Sequence, residues 1–234
     1  MPADDFVFPP APQASLAVQG TDARFPMRRI FCVGRNYEAH AREMGKDPTR
    51  EAPFFFTKPA DAALDTPCTI PYPPQTEDLH HEIELVIAIG KGGRNIAEAD
   101  VMDHVWGASV GIDLTRRDLQ AEAKKAGRPW DWGKAFDNSA PIAALKPIAD
   151  VPSVEQGRIW LAVNGEVRQD ADLADLIWSV REHVAILSQS MALAPGDIIM
   201  TGTPAGVAAL VEGDFVTGGV DGIATLEVTI GPRT

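Results

Sequence analysis

Cysteine is scarce. Cys32 and Cys68 are the only two in 234 residues, and both sit in apolar surroundings. Two thiols so placed do not make a disulfide framework and read as buried free thiols in a reducing compartment. No compact Cys/His spacing is present, which leaves out a zinc site of the usual kind. Basic charge is also short, with 21 Lys and Arg against 33 Asp and Glu and a formal net charge of −12. That balance argues against binding nucleic acid through a basic surface. No apolar run reaches membrane-spanning length. Met1-Pro2-Ala3-Asp4-Asp5 has neither the basic start nor the apolar segment of a signal peptide. The expectation is a cytoplasmic protein with no nucleic-acid partner and no membrane partner. Repeats, low-complexity tracts and a glycine-rich phosphate loop after a strand are missing as well.

What is present is mostly strand. Residues 1–26 are rich in Pro and Ala, with Phe6, Val7 and Phe8 as anchors, and read as an N-terminal arm lying on the body or on a partner subunit. The remainder, 27–234, reads as one domain. Strands are predicted at 29–33, 53–57, 80–90, 105–114, 197–201, 214–217 and 223–230. Asn164-Gly165 marks a hairpin between 159–163 and 166–169. The stretch 65–76 carries four prolines and reads as loop or edge strand. Helices are expected over 37–44, closed by Gly45, and over 96–104, capped by Asn95 with Glu98 three residues on. Two more follow at 115–126 and, in two pieces, at 172–191. Many strands with few short helices predict a strand-dominated α+β fold.

The chain is organised around residues 80–90. Along that strand Ile83, Leu85, Ile87 and Ile89 share one face, while Glu82 and Glu84 share the other, about 7 Å apart at the backbone. Two ionised carboxylates in a partly dry site repel each other, so a proton, basic neighbours or a divalent cation must offset them. A solvated strand end would need none of these. The strand 105–114 adds a third carboxylate, Asp113, at the end of a row of small residues, Gly107, Ser109 and Gly111. That row is expected to leave room above the strand for a ligand. Three carboxylates on short strands suit a hard cation, Mg2+ first, then Mn2+ or Ca2+.

Other candidates are weaker singly. His40 and Glu43 are three apart on a predicted helix, so a carboxylate could orient an imidazole that acts as general base on water; a solvated helix face is the plainer reading. Arg117 and Gln120 follow Asp113 on one helix side, where Arg could clamp a substrate carboxylate or simply pair with its neighbours. Lys134 lies in an apolar setting and could stabilise an enolate or oxyanion, although lysines snorkel readily. The turn from Thr201 to Gly206 could offer N–H groups and the Thr203 hydroxyl to an anion.

Val33-Gly34-Arg35-Asn36-Tyr37 with His40 and Glu43, His81-Glu82-Ile83-Glu84, Asp113 to Asp118, Lys134-Ala135-Phe136, and Gly196 through Thr203-Pro204 occur in this order. Together they resemble the fumarylacetoacetate hydrolase family, in particular its short acylpyruvase branch, over about residues 27–230. The resemblance implies a mixed β-sandwich roll in a homodimer, with Mg2+ or Mn2+ held by Glu82, Glu84 and Asp113. It implies that His40 and Glu43 lie on a lid and activate water, and that Arg117, Gln120, Lys134 and Thr203 line the substrate site. Longer relatives supply a further aspartate ligand where this chain has Val33, which favours a three-carboxylate site. The expected activity is hydrolysis of the C–C bond of an acylpyruvate, fumarylpyruvate above others. Arg35 or Arg117 would meet its distal carboxylate. The alternatives on the same site are oxaloacetate decarboxylation and isomerisation or tautomerisation of oxo-dienoates. A metal-stabilised binding protein would have no need of His40, Glu43 and Lys134.

Overall fold

The computed structural model describes residues 6–43 and 51–233. In chain order the first strands are β1 (Ser15–Val18), β2 (Thr21–Pro26), β3 (Arg29–Gly34), β4 (Phe54–Lys58), β5 (Ala63–Asp65) and β6 (Cys68–Tyr72). Next come β7 (Leu79–His80), β8 (Ile83–Ile89), β9 (Val105–Ile112), β10 (Thr115–Arg116), β11 (Ala140–Ile142) and β12 (Lys146–Pro147). The last are β13 (Arg158–Val163), β14 (Glu166–Asp172), β15 (Asp197–Met200), β16 (Ala209–Leu210), β17 (Phe215–Val220) and β18 (Ala224–Arg233). Among the described residues four short α-helices accompany them: α1 (Glu38–Glu43), α2 (Arg117–Ala126), α3 (Asp131–Lys134) and α4 (Val180–Ser190).

The main sheet has the order β4-β3-β15-β8-β9-β11-β5, with β12 also on β9; the second is β14-β13-β17-β18-β6. Both are mixed, with β3/β15, β5/β11 and β6/β18 the parallel pairs. Every residue of β8 is buried. Its Ile83, Leu85, Ile87 and Ile89 join Leu161, Val216 and Val228 of the second sheet in one core. Its other face, Val86 and Ala88, joins Ile30, Cys32, Ile198 and Met200 in a second core. A strand covered on both sides reads as a continuous apolar run, and only its first turn of sequence carries charge.

The second core is closed by β1 and β2, which form an antiparallel hairpin. Leu16, Val18 and Phe25 are buried in it, and the Phe25 ring lies 5.0 Å from that of Trp106. Within the chain the end of the expected arm is therefore part of the body. The anchors differ from those read in the sequence: Phe6, Val7 and Phe8 are 52, 100 and 75 % exposed.

Most predicted elements are present, and the differences have local causes. Asn164 and Gly165 both take positive φ in the β13–β14 turn, as a two-residue hairpin requires. The predicted helix after Asn95 is a 3-10 segment, Glu98–Asp103, and Asn95 is no cap but left-handed, with φ 52°. Ser188 of α4 instead holds the chain just before that segment. Its carbonyl accepts from Asn95 N at 3.0 Å and its hydroxyl from Ile96 N at 2.8 Å. The predicted strand 80–90 is split, because Leu79 and His80 pair with β10 and β16 in a small separate sheet. Gly45, the expected helix stop, lies outside the described residues. Cys32 is buried and Cys68 half-buried, both free; burial pushes both thiols up, Cys68 to about 11.

Helix α4 begins with a capping box, the Ser179 hydroxyl and Glu182 carboxylate bonding each other's backbone N–H. The next residue, His183, is fully buried, and burial pushes its imidazole down to about 4. A folded-state value below that of the unfolded chain means that the unfolded chain binds the extra proton. Stability is lost as pH falls from about 6.5 towards 4, by about 3 kcal/mol for one such imidazole. In His183→Asn, which keeps an N–H donor for the Trp178 carbonyl, the acid loss in urea-unfolding free energy should shrink by about that amount.

Candidate metal centre

The ladder between β8 and β9 continues past the strand ends. Glu84 is opposite Gly111, and Asp113 N donates to Glu82 O at 2.8 Å. This brings three carboxylates together, each buried. One oxygen from each of Glu82, Glu84 and Asp113 lies within 4.8 Å of the other two.

Their partners are unequal. Lys134 Nζ bridges Glu82 Oε2 at 2.8 Å and Asp113 Oδ2 at 2.6 Å. Arg117 donates to Glu82 Oε1 and, at 2.7 Å, to Gln120 Oε1. Lys58, fully buried at the end of β4, lies 2.8 Å from Asp113 Oδ1 and donates to the carbonyls of Leu114 and Lys134. No basic side chain among the described residues forms an ion pair with Glu84, whose contact is the Gly202 N–H at 2.8 Å.

Charge follows from this inequality. Burial raises the Glu82 carboxyl, but Lys134 and Arg117 outweigh it and hold the group below the usual carboxylate range. Glu84 is pushed well above that range by burial, then by Asp113 and Glu82. Burial opposes the Lys134 ammonium, and Asp113 and Glu82 more than offset it. The cluster thus holds one crowded carboxyl, Glu84, that forms no ion pair among the described residues and that burial and its two acidic neighbours push towards the neutral form. An all-oxygen donor set, buried and converging, fits a hard divalent cation.

A cavity of about 320 Å³ opens over these carboxylates. It brings together nine of the ten site residues predicted from sequence: Arg35, His40, Glu82, Glu84, Asp113, Arg117, Gln120, Lys134 and Thr203. The tenth, Glu43, ends α1, and its side chain is outside the described structure. His40 is 5 % exposed. The rest of the wall is aromatic and apolar, with Phe54, Phe56 and Trp130, and Lys124 beside them over the Trp130 ring at 4.8 Å.

The row of small residues on β9 has a different use from the one expected. A Cβ on Gly107 would lie 2.5 Å from Lys146 O, and one on Gly111 3.0 Å from the Ile142 side chain. Ser109 Oγ donates to Ala143 O at 2.8 Å. The space above β9 is filled by the chain's own segment 141–147. The ligand cavity lies beyond the end of the row, over Asp113.

Lys58, Lys124 and Gln169 are site residues that the sequence reading missed. Lys124 had a signal, since it is seven residues after Arg117 and therefore on the same face of α2. Lys58 and Gln169 had none, because their partners are 55 or more positions away along the chain, apart from Thr203 and Pro204 at 34 and 35.

The protein-family model described as fumarylacetoacetate (FAA) hydrolase C-terminal matches residues 29–231. The chain belongs to the fumarylacetoacetate hydrolase family. Within it, the fumarylpyruvate hydrolase of a Ralstonia species is 45 % identical over 186 residues, 80 % of this chain and 96 % of that protein. The human mitochondrial oxaloacetate tautomerase FAHD1 is 39 % identical over 199 residues, 85 % of this chain and 90 % of that protein. The crystal structure of Pseudomonas aeruginosa fumarylpyruvate hydrolase, in complex with Mn2+ and pyruvate, superposes with a TM-score of 0.95. It is 50 % identical and covers 98 % of this chain and 100 % of that one. The strand-dominated α+β fold expected from the residues is thus the fold of this family. Among the described residues no helix is long and apolar enough to cross a membrane.

Proposed function

We propose that this protein is a divalent-metal-dependent fumarylpyruvate hydrolase, splitting its substrate into fumarate and pyruvate. One observation carries the reading. Three buried carboxylate oxygens converge under a cavity that also holds His40, Lys134, Arg117, Gln120 and Thr203. The chain around it is 50 % identical to a fumarylpyruvate hydrolase that binds Mn2+ and pyruvate.

Glu82, Glu84 and Asp113 would hold the cation, Mn2+ or Mg2+. When bound it supplies a Lewis acid and an anchor at the 2-oxo-acid end of the substrate. His40 accepts a proton from water, and Glu43, three residues on along α1, orients the imidazole. The water oxygen bonds to the 4-oxo carbon. The bond from that carbon to the neighbouring methylene breaks, and its electron pair passes to the pyruvyl half as an enolate. Lys134, an ammonium held charged by its two carboxylate neighbours, stabilises that negative charge. Protonation at carbon completes pyruvate, and the other half leaves as fumarate. Gln120 and Thr203 orient the 2-oxo acid. Of the two arginines considered for the distal carboxylate, Arg117 is committed to Glu82 and Gln120. Arg35, over the Phe54 ring at 5.3 Å and only 3.8 Å from Glu51, remains for it. The exposed Phe6, Val7 and Phe8 suit burial against a second copy in a homodimer.

Purified protein assayed with Mn2+ should cleave fumarylpyruvate with a higher kcat/KM than acetylpyruvate, which lacks the distal carboxylate. Chelator should remove the activity and added Mn2+ or Mg2+ restore it. Faster turnover of oxaloacetate than of either acylpyruvate would move the protein to the tautomerase side of the family.

A further inference from the structure

Gln169 belongs to β14 in the second sheet, yet its amide reaches the loop after β15 in the first. The side chain is fully buried. Its orientation follows from two backbone groups of fixed polarity. Ile83 N, which can only donate, lies 3.1 Å from Oε1, so that end accepts. Pro204 O, which can only accept, lies 2.8 Å from Nε2, so that end donates. His81 Nδ1, 2.9 Å from Oε1, therefore carries the ring proton. The remaining N–H of the amide points at Thr203 Oγ1, 2.8 Å away.

This fixes the direction of the Thr203 hydroxyl. An amide nitrogen has no lone pair to offer, so Thr203 can only accept from Gln169 and must place its own proton elsewhere. Thr203 lines the cavity over the carboxylates, and its proton meets no acceptor among the described residues. The loop that carries it is pressed flat on β14. Gly206 has φ +94°, and a Cβ there would collide with the Arg168 carbonyl.

We infer that Gln169 is a positioning residue which makes Thr203 an obligate hydroxyl donor to an anionic oxygen of the bound ligand. Resting on the substrate reading above, that oxygen is in the carboxylate of the 2-oxo acid. The second sheet, which supplies none of the three converging carboxylates, thereby sets which atom of Thr203 faces the ligand. A site so arranged favours a carboxylate over a neutral group at that position, because a lone proton donor has no use for a ligand N–H.

Gln169→Glu is nearly isosteric and keeps the acceptor for Ile83 N and His81 Nδ1. Ionised, its second oxygen only accepts: it takes the Thr203 proton, turns the Thr203 lone pairs towards the ligand and leaves the Pro204 carbonyl without its donor. Pyruvate binding to Mn2+-loaded protein, measured by calorimetry, is the readout. Thr203→Val and Gln169→Glu should each weaken pyruvate about tenfold, the loss of one hydrogen bond to a charged group. The double variant should bind no more weakly than Thr203→Val, and Thr203→Ser should bind as wild type. If the buried carboxylate prevents folding, Gln169→Met removes the donor without adding charge and should show the same non-additivity. A Gln169 substitution that costs the same factor with and without the Thr203 hydroxyl overturns the inference, as does one that binds pyruvate like wild type. Wild-type protein that binds no pyruvate with Mn2+ overturns the substrate reading and the inference together, whereas additive losses overturn the inference alone.

Discussion

Glu84→Gln should weaken metal binding by about 10²-fold or more and remove most activity, while leaving the metal-free protein as stable as wild type. Glu82 has Lys134 and Arg117, and Asp113 has Lys134 and Lys58. Among the described residues Glu84 has a hydrogen bond from the Gly202 N–H and no ion pair. An amide in its place still accepts from that N–H, so the metal-free fold loses nothing it was using. A hard cation loses one of three charged oxygen ligands, and its affinity should fall by about 10²-fold or more. Thermal unfolding separates the two effects. A cation at 100 times its dissociation constant adds about 2.7 kcal/mol to wild type. That rise should shrink to about 0.4 kcal/mol or less in the variant, while melting in chelator is unchanged. Equal Mn2+ stabilisation of wild type and Glu84→Gln would remove these carboxylates as the cation site. Asp113→Asn is a harsher test of the same site. It strands Lys58 and one half of the Lys134 bridge as buried ammonium groups, and should destabilise the metal-free protein by about 3 kcal/mol or more.

The centre of the site was legible in the sequence because it is local. Alternation along one strand puts Glu82 and Glu84 on one side, and the end of the next strand carries Asp113; antiparallel pairing then closes the cluster. Helical spacing likewise joined Arg117 to Gln120, and would have reached Lys124 had the face been followed one turn further. What escaped was set by contacts between distant segments. Lys58 looks like a charged strand end, but the carbonyls of Leu114 and Lys134 and the Asp113 carboxylate make its burial possible. The glycines of β9 suggested an open floor, whereas the segment 141–147 packs on them directly. The hairpin β1–β2 was hidden by the prolines that precede it, Pro9, Pro10 and Pro12, and by an exposed face. Only Leu16, Val18 and Phe25 carry the apolar signal, and they cover a core built by strands far along the chain. Gln169 was hidden for a related reason. A single amide in a polar hairpin strand means nothing until the fold places the loop of Thr203 and the backbone of Ile83 against it.

His40→Ala should lower acylpyruvate hydrolysis by at least about 10²-fold, or about 2.7 kcal/mol in the barrier, with Mn2+ and pyruvate binding retained. His40 lines the cavity but is not one of the residues whose carboxylate oxygens converge there. Its loss therefore removes a proton acceptor without removing a ligand. A group needed only while water is being deprotonated changes kcat and leaves KM almost unmoved. Decarboxylation of oxaloacetate supplies the internal contrast. It also ends in the pyruvyl enolate but consumes no nucleophilic water, so the same variant should lose much less of it. On the proposed role of Glu43, Glu43→Gln should resemble His40→Ala in milder form, since an amide could still bond the imidazole but would not carry the charge that raises its basicity. Acylpyruvate turnover that survives both substitutions would refute water activation by His40. The enolate-forming reactions of oxaloacetate would then become the better account of this cavity, because they need the carboxylates and Lys134 but no general base for water.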